Sequence, residues 1–414
     1  MLLGEVFKNI NKEYKKVKFK DIKFNSKDCK LNDVFFALKG NNLDGEKYIH
    51  DAIKNGAKII VSSLKLNKFK KKNILFIHNK NPRKLLSVIS SRIYKLKPKN
   101  IIAVTGTNGK TSVANFYQQI LSLNHKKVSS IGTLGVLSKN LNLNSNNTTL
   151  DSVCIHKVLQ KIKKLKIDNV ILEASSHGLY QYRLNNINFK TAIFTNLSRE
   201  HLDYHKNIKN YLNAKLYLFK NLLNLKGNII FDETINQSKQ LNTITKKRKL
   251  KKYTFGSSRS FIKIIKIQKI NNQNKINFIL NKKNYSFKTS LLGKIQIKNL
   301  MFAIIAAYLS KLKINKILKS IHKIKPIDGR LEIIGNLKNN SKVFLDYAHT
   351  PNALQTVILN IKEEFPLSRI SLVFGCGGNR DKYKRSEMGA IAKKYCENIY
   401  LTDDNPRSEN PKLI

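Results

Sequence analysis

The feature that most constrains this chain is a glycine-rich turn between an apolar run and a helical pattern. The apolar run IIAVT at 101–105 predicts a buried strand, and the pattern from 110 to 123 predicts a helix. The turn and the start of the helix consist of Gly106, Thr107, Asn108, Gly109, Lys110, Thr111 and Ser112. Backbone N–H groups of such a loop point at phosphate oxygens, and the helix N-terminus favours their negative charge. The sequence therefore predicts a binding site for the phosphates of a nucleotide.

Two side chains of this loop have separate expected roles. Lys110 would reach the β and γ phosphates, and Thr111 would hold Mg²⁺, so ATP and Mg²⁺ are the expected cofactors. Position 104 is Val, where the commonest phosphate-loop pattern has Gly. A glycine-rich turn without a ligand is the alternative interpretation, but the strand before it and the helix after it favour a nucleotide site.

Strand and helix patterns predict an α/β protein of three domains. Residues 1–97 alternate short apolar runs with helical patterns, and Pro98 predicts a linker because proline disfavours continuation of the preceding helix. Residues 98–327 predict a mainly parallel sheet. Short alternating runs between 251 and 291 are expected to add a small antiparallel sheet to it.

The segment 328–414 predicts a third α/β domain. Its strands at 342–347, 369–375 and 398–404 are expected to form one parallel sheet. The last residues have the pattern of the first turn of another helix, with Pro411 near its start. Because such a sheet would leave an apolar face uncovered, this third domain is expected to be incomplete.

The net charge of +52 raises nucleic acid as a partner, since clustered lysines and arginines neutralise phosphates. Here the lysines are spread over every segment, which indicates a general compositional bias, and no specific nucleic acid is expected. A basic ATPase that acts on nucleic acid stays the alternative from another class. Steep salt-dependent binding to DNA or RNA would support that alternative.

Two further compositional features bear on location. No run of about 18 apolar residues is present, and the amino terminus has no apolar run long enough for a signal peptide, so we expect a cytoplasmic protein without membrane contact. The four cysteines, at 29, 154, 376 and 396, lack CxxC spacing. Neither a zinc site nor a disulfide framework is therefore expected.

Polar side chains also lie at the ends of two other predicted strands. Glu173 lies in the run NVILEAS at 169–175, and His201 lies in TNLSREHLDYH at 195–205, next to another predicted strand. Open α/β sheets bind ligands at the carboxyl ends of their strands. Glu173 and His201 are therefore candidate Mg²⁺ ligands near the γ phosphate.

Taken together, the motifs TGTNGKTS, EASSHGL, TNLSREHLDYH, DGRLE, DYAHTP, FGCGGNRD and DDNPR, in this order, closely resemble the Mur ligase family of peptidoglycan synthesis. The resemblance covers nearly the whole chain. It implies an N-terminal domain that binds a uridine nucleotide, a central ATP-binding domain, and a Rossmann-like C-terminal domain that binds the amino-acid substrate. It also implies a monomer.

The resemblance assigns roles to further residues. Lys215, in LNAKLYLF, matches the lysine that the family carbamylates, and a carbamate would supply oxygens suited to Mg²⁺. The implied catalytic residues are Lys110, Glu173, His201 and Lys215, and the implied metal ligands are Thr111, Glu173, His201 and Lys215. Asn299 matches an adenine-contacting position, although Ile295 and Gln296 replace the usual Phe-Asn pair. Arg330 and Asp346 match residues that reach the nucleotide when the domains close.

The remaining assignments concern the other two substrates. Ser26 matches a uridine-contacting serine. The positions that match the family's contacts to the muramoyl dipeptide are Asn147, Thr148, Thr149, Ser175, Gln181 and Arg183. Contacts to the incoming amino acid are expected from Arg380, Asp404, Asn405, Pro406 and Arg407. A guanidinium can grip the distal carboxylate of meso-diaminopimelate bidentately, so this substrate is favoured over L-lysine.

The resemblance implies an ATP-dependent ligase that adds meso-diaminopimelate to the D-Glu γ-carboxylate of UDP-N-acetylmuramoyl-L-Ala-D-Glu through an acyl phosphate. Ligation of L-lysine is the near alternative. A folylpolyglutamate synthetase-like ligase would share the phosphate loop, but it would not explain DNPR or the separate amino-terminal domain. A fragment that binds UDP-sugar and ATP without turnover is the last alternative.

Overall fold

The computed structural model of the chain describes residues 1–8, 10–40, 43–64, 73–145, 147–270, 273–339, 341–379 and 381–414. In the amino-terminal part, a small parallel sheet has the strand order β1-β2-β3-β4. Its helices and strands are α1 (Leu3–Val6), β1 (Ile22–Lys23), β2 (Val34–Phe36), α2 (Ile49–Lys54), β3 (Ile59–Ser62), β4 (Leu75–His78) and α3 (Pro82–Ile93). The Asn81 side chain accepts a hydrogen bond from the Lys84 N–H, and Pro82 is the first helical residue, so both positions favour the start of α3 here. The predicted α/β architecture is confirmed for this part.

The central part is one large mixed sheet with helices on both faces. Its elements are β5 (Asn100–Thr105), α4 (Lys110–Leu123), β6 (Val128–Gly132), β7 (Gly135–Ser138), β8 (Leu141–Leu143), α5 (Ser152–Lys164), β9 (Asn169–Glu173), α6 (Ser176–Tyr180), β10 (Phe189–Phe194), α7 (Leu202–His205), α8 (Ile208–Tyr217), β11 (Leu223–Asp232), α9 (Ser238–Lys247), β12 (Lys251–Phe255), β13 (Ile262–Ile270), β14 (Gln273–Leu280), β15 (Lys283–Thr289), α10 (Gly293–Leu309) and α11 (Ile314–Ser320).

The strands of this sheet have the order β15-β14-β13-β12-β11-β10-β5-β9-β6-β7-β8. The strands from β12 to β6 run parallel, as the sequence predicts. Their carboxyl ends therefore meet at one edge, which we call the carboxyl edge of the central sheet. Apolar residues of β5, α4 and α10 pack into one buried core beneath it.

Two details of the central sheet differ from the prediction. The small antiparallel sheet expected between 251 and 291 is formed by β13, β14 and β15, but β12, in the same segment, pairs in parallel with β11. The short alternation of apolar and polar residues in β12 is compatible with parallel and with antiparallel pairing. The pairing is parallel because helix α9, between β11 and β12, returns the chain to the same end of the sheet. An antiparallel extension, β7 with β8, was not predicted.

The part that we call the carboxyl-terminal region, residues 328–414, also differs from the prediction. Its elements are β16 (Glu332–Asn336), β17 (Lys342–Leu345), α12 (Pro351–Glu364), β18 (Ser371–Phe374), α13 (Tyr383–Tyr395) and β19 (Asn398–Leu401). The expected single parallel sheet of three strands is wrong for the described residues: β17 pairs antiparallel with β16, and β18 pairs in parallel with β19. A short turn after β16 lets β17 form a hairpin with it, which a helix-separated strand could not do.

Two further findings concern expectations from composition. Of the helices in the described ranges, none has the length and apolar character that a membrane crossing requires. All four cysteines are free thiols.

Candidate active site

The glycine-rich loop lies at the carboxyl edge and adopts a conformation that needs its glycines. Gly106 has φ +149° and Gly109 has φ +84°. A Cβ at Gly106 would lie 1.9 Å from Thr195 Oγ1, and one at Gly109 would lie 2.4 Å from Asn299 Oδ1. The loop is thus pressed between the end of β10 and helix α10, and any side chain at these two positions would displace it.

Two residues that directly follow β10 form hydrogen bonds with the glycine-rich loop. Thr195 Oγ1 donates a hydrogen bond to the Asn108 carbonyl oxygen at 2.6 Å. Asn196 accepts from the Asn108 N–H at 2.9 Å and donates to the Asn108 carbonyl oxygen at 3.2 Å. Sequence reasoning did not assign a role to Thr195 or Asn196. Their position directly after a strand that neighbours β5 is the signal that could have identified them.

Lys110 lies at the end of the glycine-rich loop, and its side chain folds back over that loop. Its Nζ donates to the carbonyl oxygens of Gly106 at 3.0 Å and Thr107 at 2.7 Å. Burial lowers the pKa of Lys110, while the carboxylates of Glu200 and Glu173 act in the opposite direction. The ammonium group therefore sits in the concave side of the loop, where phosphates are expected.

Glu173, the last residue of β9, faces the start of α4. Its carboxylate accepts hydrogen bonds from Thr111 Oγ1 at 3.0 Å, from the Thr133 N–H at 2.9 Å and from Thr133 Oγ1 at 3.2 Å. A Cβ at Gly132 would lie 2.1 Å from Glu173 Oε1, so a glycine is needed there. Burial raises the pKa of Glu173, and Lys110 opposes this shift. The predicted pair Glu173 and Thr111 thus forms an oxygen-rich corner beside Lys110.

Lys215, on α8, has a buried amine at the same loop. Only 1% of the residue is exposed. Its Nζ donates to the Gly106 carbonyl oxygen at 2.8 Å and lies 4.2 Å from the centroid of the Tyr211 ring. Burial, reinforced by the charge of Lys110, lowers the pKa of Lys215 well below its ordinary value. Two lysines predicted from separate motifs therefore meet at one carbonyl oxygen.

A carboxylate missed by sequence reasoning, Glu200, lies between the loop and the carboxyl-terminal region. It accepts from the Tyr211 hydroxyl at 3.3 Å and lies 3.2 Å from His349 Nε2 and 3.6 Å from His201 Nε2. Burial raises the pKa of Glu200, but the hydrogen bond with His349 and the nearby positive charges outweigh it and bring the pKa to about 2. Burial lowers the pKa of His201, and the Glu200 carboxylate opposes this shift.

The residues predicted to hold the muramoyl dipeptide form a connected group. Arg183 donates to the Thr149 carbonyl oxygen at 2.7 Å and to Gln181 Oε1 at 2.8 and 3.0 Å. Thr149 Oγ1 accepts from the Ser175 N–H at 2.9 Å and donates to the Glu173 carbonyl oxygen at 2.8 Å. This chain of hydrogen bonds ties the group directly to the strand that carries Glu173.

The other two predicted members of that group lie on the adjoining loop. Thr148 Oγ1 is 3.2 Å from Thr133 Oγ1, which itself contacts Glu173. The Asn147 N–H donates to Ser145 Oγ at 3.2 Å. Burial lowers the pKa of His177 to about 4, and this imidazole packs 4.7 Å from the ring of His201. Sequence reasoning gave His177 no role.

The predicted nucleotide-binding residues meet at the start of α10. Asn299 Nδ2 donates to Gln296 Oε1 at 3.2 Å, and Gln296 Nε2 donates to the Arg330 carbonyl oxygen at 3.1 Å. The Arg330 guanidinium lies 4.6 Å from the centroid of the Tyr347 ring. Asp346 accepts from the N–H groups of Leu331 at 2.7 Å and of Ala348 at 2.8 Å. Burial raises the pKa of Asp346, and these hydrogen bonds oppose the shift.

The predicted amino-acid-binding motif forms a loop in the carboxyl-terminal region. The Gly378 N–H donates to the Asn405 carbonyl oxygen at 2.9 Å, and Arg407 Nη1 donates to the Gly378 carbonyl oxygen at 2.6 Å. A Cβ at Gly378 would lie 1.9 Å from the Pro406 carbonyl oxygen. Segments 375–379 and 404–407 are therefore packed directly together. Arg380 lies outside the described residues.

The predicted roles of all these residues stay predictions, and so do the uridine site and the metal site. Ser26 lies in the amino-terminal part, where its carbonyl oxygen accepts from Asn55 Nδ2 at 2.9 Å, and its expected contact with uridine is untested. Within the described ranges, no group of three or more His, Cys, Asp or Glu side chains is arranged to hold a metal ion.

Protein-family models match nearly the whole chain. The model described as Mur ligase family, catalytic domain, matches residues 18–105, and the Mur ligase middle domain matches residues 104–307. The model described as Mur ligase, glutamate ligase domain, matches residues 329–414.

Curated relatives are also similar over nearly the whole chain. The chain is 39% identical over 415 residues to the UDP-N-acetylmuramoyl-L-alanyl-D-glutamate--2,6-diaminopimelate ligase of Rickettsia montanensis, covering 98% of this chain and 84% of that protein. It is 38% identical over 423 residues to the ligase of the same name from Wigglesworthia glossinidia brevipalpis, covering 99% of this chain and 84% of that protein.

Solved structures agree in fold. A UDP-N-acetylmuramoyl-L-alanyl-D-glutamate--2,6-diaminopimelate ligase superposes with a TM-score of 0.77 at 27% identity, covering 100% of this chain and 84% of that one. MurF from Thermotoga maritima, solved with ADP, superposes with a TM-score of 0.63 at 16% identity, covering 94% of this chain and 85% of that one. An FPGS in complex with AMPPCP and folate gives a TM-score of 0.62 at 15% identity, covering 77% and 83%. The last two show the fold alone.

Proposed function

This chain belongs to the Mur ligase family, and from that premise we propose that it joins meso-diaminopimelate to UDP-N-acetylmuramoyl-L-Ala-D-Glu. The reaction is an ATP-dependent ligation of an acid to an amino acid in peptidoglycan precursor synthesis. The names of the relatives at 38–39% identity favour diaminopimelate over L-lysine, and they do not favour a nucleic-acid ATPase.

The observation that carries the proposal is the meeting of Lys110 and Lys215 at the Gly106 carbonyl oxygen. Lys110 serves an ATP-binding loop, and Lys215 is a buried lysine of the kind that this family carbamylates. The group that contains Thr149 and Arg183 is connected through hydrogen bonds to Glu173, whose carboxylate accepts from Thr111 Oγ1 next to Lys110. In the proposed function, the phosphates, the catalytic groups and the acceptor carboxylate would therefore meet at the carboxyl edge of the central sheet.

In the first step, the γ-carboxylate of D-Glu attacks the γ phosphorus of ATP, an acyl phosphate forms and ADP leaves. Little covalent chemistry falls to the protein in phosphoryl transfer, so its side chains act by position and charge. The ammonium of Lys110 would exchange its loop carbonyl contacts for phosphate oxygens. Arg183 would hold the dipeptide so that its carboxylate faces the loop.

The residues at the loop fit Mg²⁺ better than a metal that needs a complete protein cage. Thr111 Oγ1 and the buried Glu173 carboxylate offer oxygen ligands within hydrogen-bonding distance of each other. Mg²⁺ is commonly bound by one or two carboxylates together with substrate phosphates. When bound, the ion would offset charge on the transferring phosphoryl group. His201, whose pKa is lowered by burial, is the proposed additional ligand.

We propose that Lys215 is carbamylated. Burial lowers the pKa of Lys215, which favours the neutral amine, and a neutral amine adds to CO₂ with formation of an N–C bond and loss of one proton. The product would place an anionic group beside Tyr211 and the loop, where the two lysines otherwise place two amines. Such a group could complete the proposed Mg²⁺ ligands together with Glu173.

In the second step, the amine of diaminopimelate attacks the acyl carbonyl, and phosphate leaves from the tetrahedral intermediate to give the amide. The proposed contacts to the amino acid come from Asp404, Asn405, Pro406, Arg407 and Arg380. A guanidinium recognises the distal carboxylate that L-lysine lacks. Approach of Arg330 and Asp346 to the nucleotide would exclude water from the acyl phosphate.

The proposal extends to the first substrate and to location. Ser26 in the amino-terminal part would contact the uridine end of the substrate, while Asn147, Thr148, Thr149, Ser175, Gln181 and Arg183 would hold the dipeptide. Action as a monomer, which the family resemblance implies, is part of the proposal. Because the substrates are nucleotide-linked metabolites and ATP, we place the reaction in the cytoplasm.

Phosphate release from ATP tests the proposal. The protein is mixed with UDP-N-acetylmuramoyl-L-Ala-D-Glu and either meso-diaminopimelate or L-lysine. Release that depends on the muramoyl substrate and on diaminopimelate is expected. Equal release with L-lysine would leave a ligase of different specificity, and release without any muramoyl substrate would refute the ligase assignment.

A further inference from the structure

The carboxyl-terminal region touches the central part at a second place, away from the phosphate loop. There the end of α12 meets the start of α10 and the strands β13 and β14. We call this contact the α12 dock and define it by Lys269, Asn274, Gly293, Asn360 and Glu364. The proposed mechanism uses none of these residues, and the sequence motifs gave no role to Glu364.

Glu364 is the centre of the α12 dock. Its Oε1 accepts from the Gly293 N–H at 3.2 Å and from Asn274 Nδ2 at 3.4 Å. Its Oε2 lies 3.0 Å from Lys269 Nζ, which also donates to the Glu364 carbonyl oxygen at 2.8 Å. The side chain of Glu364 is 11% exposed. One carboxylate thus gathers three donors from the central part.

The carboxylate is charged in this setting. Burial raises the pKa of Glu364, but the hydrogen bonds from Lys269, Gly293 and Asn274 outweigh it and lower the pKa overall. Gly293 is the first residue of α10, and negative charge at a helix N-terminus is stabilising. The carboxyl-terminal region therefore caps a helix that belongs to the central part.

Close packing supports the same contact. Gly293 has φ +76°, and a Cβ there would lie 2.5 Å from Asn360 Oδ1. The α12 dock therefore requires a glycine at the helix start so that α12 can approach. The Lys269 ammonium also lies 5.1 Å from the centroid of the Phe365 ring.

Helix α10 connects the α12 dock to the nucleotide site. One turn after Gly293 the helix carries Gln296, which donates to the Arg330 carbonyl oxygen, and then Asn299, which donates to Gln296 and lies against Gly109. Glu364 thus acts on the start of the helix whose next turn contacts both the phosphate loop and Arg330.

We propose that Glu364 is a positioning residue that fixes the carboxyl-terminal region on α10, so that Arg330 and Asp346 are held in reach of the nucleotide. It touches no reacting atom. The proposal rests on the proposed function for its kinetic consequence, but the docking contact can be measured without catalysis.

The test compares Glu364→Ala with Glu363→Ala. Glu363 is the neighbouring carboxylate, 52% exposed and paired with the 65% exposed Lys294, so it is a matched control. We expect Glu364→Ala to lower kcat/KM for ATP about tenfold, the order of effect of a lost charge-assisted hydrogen bond. The KM for the muramoyl substrate should stay unchanged, because Thr149 and Arg183 lie apart from the α12 dock. Small-angle scattering should give a larger radius of gyration for Glu364→Ala alone.

Two further variants keep the test independent of folding. Glu364→Gln retains an acceptor for Gly293 and loses the ion pair, so its effect should be intermediate. Lys269→Gln, a change on an exposed strand, should match it, and the double variant should add little. Equal behaviour of Glu364→Ala and Glu363→Ala in kinetics and scattering would overturn the proposal. So would a lowered Tm with unchanged kcat/KM for ATP, since that pattern indicates a purely structural contact.

Failure of the proposed function has a different signature. If the unmodified protein releases no phosphate in response to diaminopimelate, the ligase assignment fails. The scattering comparison of Glu364→Ala and Glu363→Ala would still decide whether the α12 dock holds the two parts together.

Discussion

The carboxyl edge of the central sheet and the carboxyl-terminal region place charge in different ways. At the carboxyl edge, Glu173 is 2% exposed and Lys215 is 1% exposed, so loss of water shifts their pKa values. In the carboxyl-terminal region, charges are held by ion pairs such as Arg385 with Glu409, and apolar strand residues such as Val373 remain 65% exposed. Under the proposed function, the first arrangement would prepare groups for chemistry, whereas the second would arrange loops for recognition.

The largest expected effect belongs to the buried lysine of the carboxyl edge. Lys215→Ala should lower kcat for phosphate release by about 10³-fold, because it removes the proposed carbamate and its share of Mg²⁺ binding. The measurement is steady-state phosphate release, with circular dichroism to verify the fold. Mass spectrometry of the unmodified protein should show one CO₂ adduct that Lys215→Ala lacks.

Lys209→Ala is the control for this experiment, since Lys209 is an exposed lysine on the same helix. It should retain full activity. If Lys215→Ala is about as active as Lys209→Ala, the burial of Lys215 has no role in catalysis. The contrast between the carboxyl edge and the carboxyl-terminal region would then not hold.

A smaller effect is expected on the free energy of unfolding when the pH is lowered, again through buried groups. Burial, aided by the charge of Lys97, lowers the pKa of His156 to about 3, and this residue is fully buried against the Asn185 carbonyl oxygen. His156 therefore takes up a proton near pH 6.5 in the unfolded chain, but only near pH 3 in the folded chain. Stability is therefore complete above pH 6.5 and falls as pH drops toward 3, by about 1.4 kcal/mol per pH unit for this one group.

Urea unfolding between pH 7 and pH 5 measures this slope. Burial also lowers the pKa values of His177 and His205, each to about 4, so they contribute in the same direction. His156→Gln keeps a donor for Asn185 and should reduce the slope by the share of one histidine. An unchanged slope in His156→Gln would mean that His156 is not the neutral buried group that the structure indicates.

The same contrast explains what could be predicted from the sequence. The phosphate loop and helix α4 were predicted at their observed positions, because a buried strand, two glycines and a helical pattern constrain each other locally. Lys110 and Lys215 were predicted from separate motifs, but their meeting at the Gly106 carbonyl oxygen depends on long-range packing. Glu200 was missed because one acidic residue in a polar segment has no distinguishing pattern.

The carboxyl-terminal region was predicted less well for the same physical reason. The apolar runs of β17, β18 and β19 were recognised as strands, but β16 was not predicted, and the pairing of β17 with β16 depends on a turn that periodicity does not reveal. The α12 dock had no sequence signal, since Glu364 is one of two adjacent glutamates at a helix end. Only the folded chain distinguishes Glu364 from Glu363.

In the carboxyl-terminal region, Glu409 should affect one substrate only. Glu409 lies two residues after Arg407. Its carboxylate pairs with Arg385 at 2.7 Å and accepts a hydrogen bond from the Asn379 N–H at 2.9 Å. The Arg385 hydrogen bond, together with that N–H, brings the pKa of Glu409 to about 2. Glu409→Gln should loosen the loop 404–407 and raise the KM for diaminopimelate about fivefold, since a charge-assisted bidentate contact is lost.

The KM for ATP should not change in Glu409→Gln, because the loop 404–407 is not part of the phosphate site. Separate titrations of ATP and diaminopimelate in the phosphate-release assay distinguish the two effects. A parallel rise in both KM values would indicate that Glu409 supports the whole region and not the recognition loop.

The smallest effect is expected where charge is neither buried nor attached to a functional loop. Glu397 lies 3.4 Å from Arg369, and their side chains are 54% and 85% exposed. Exposed pairs of this kind contribute about 0–1 kcal/mol because water and salt screen them. Glu397→Gln should therefore leave Tm and both KM values near those of the unmodified protein. A clear loss of diaminopimelate affinity in this variant would mean that net charge, and not local geometry, governs recognition, and the same loss should then follow from added salt.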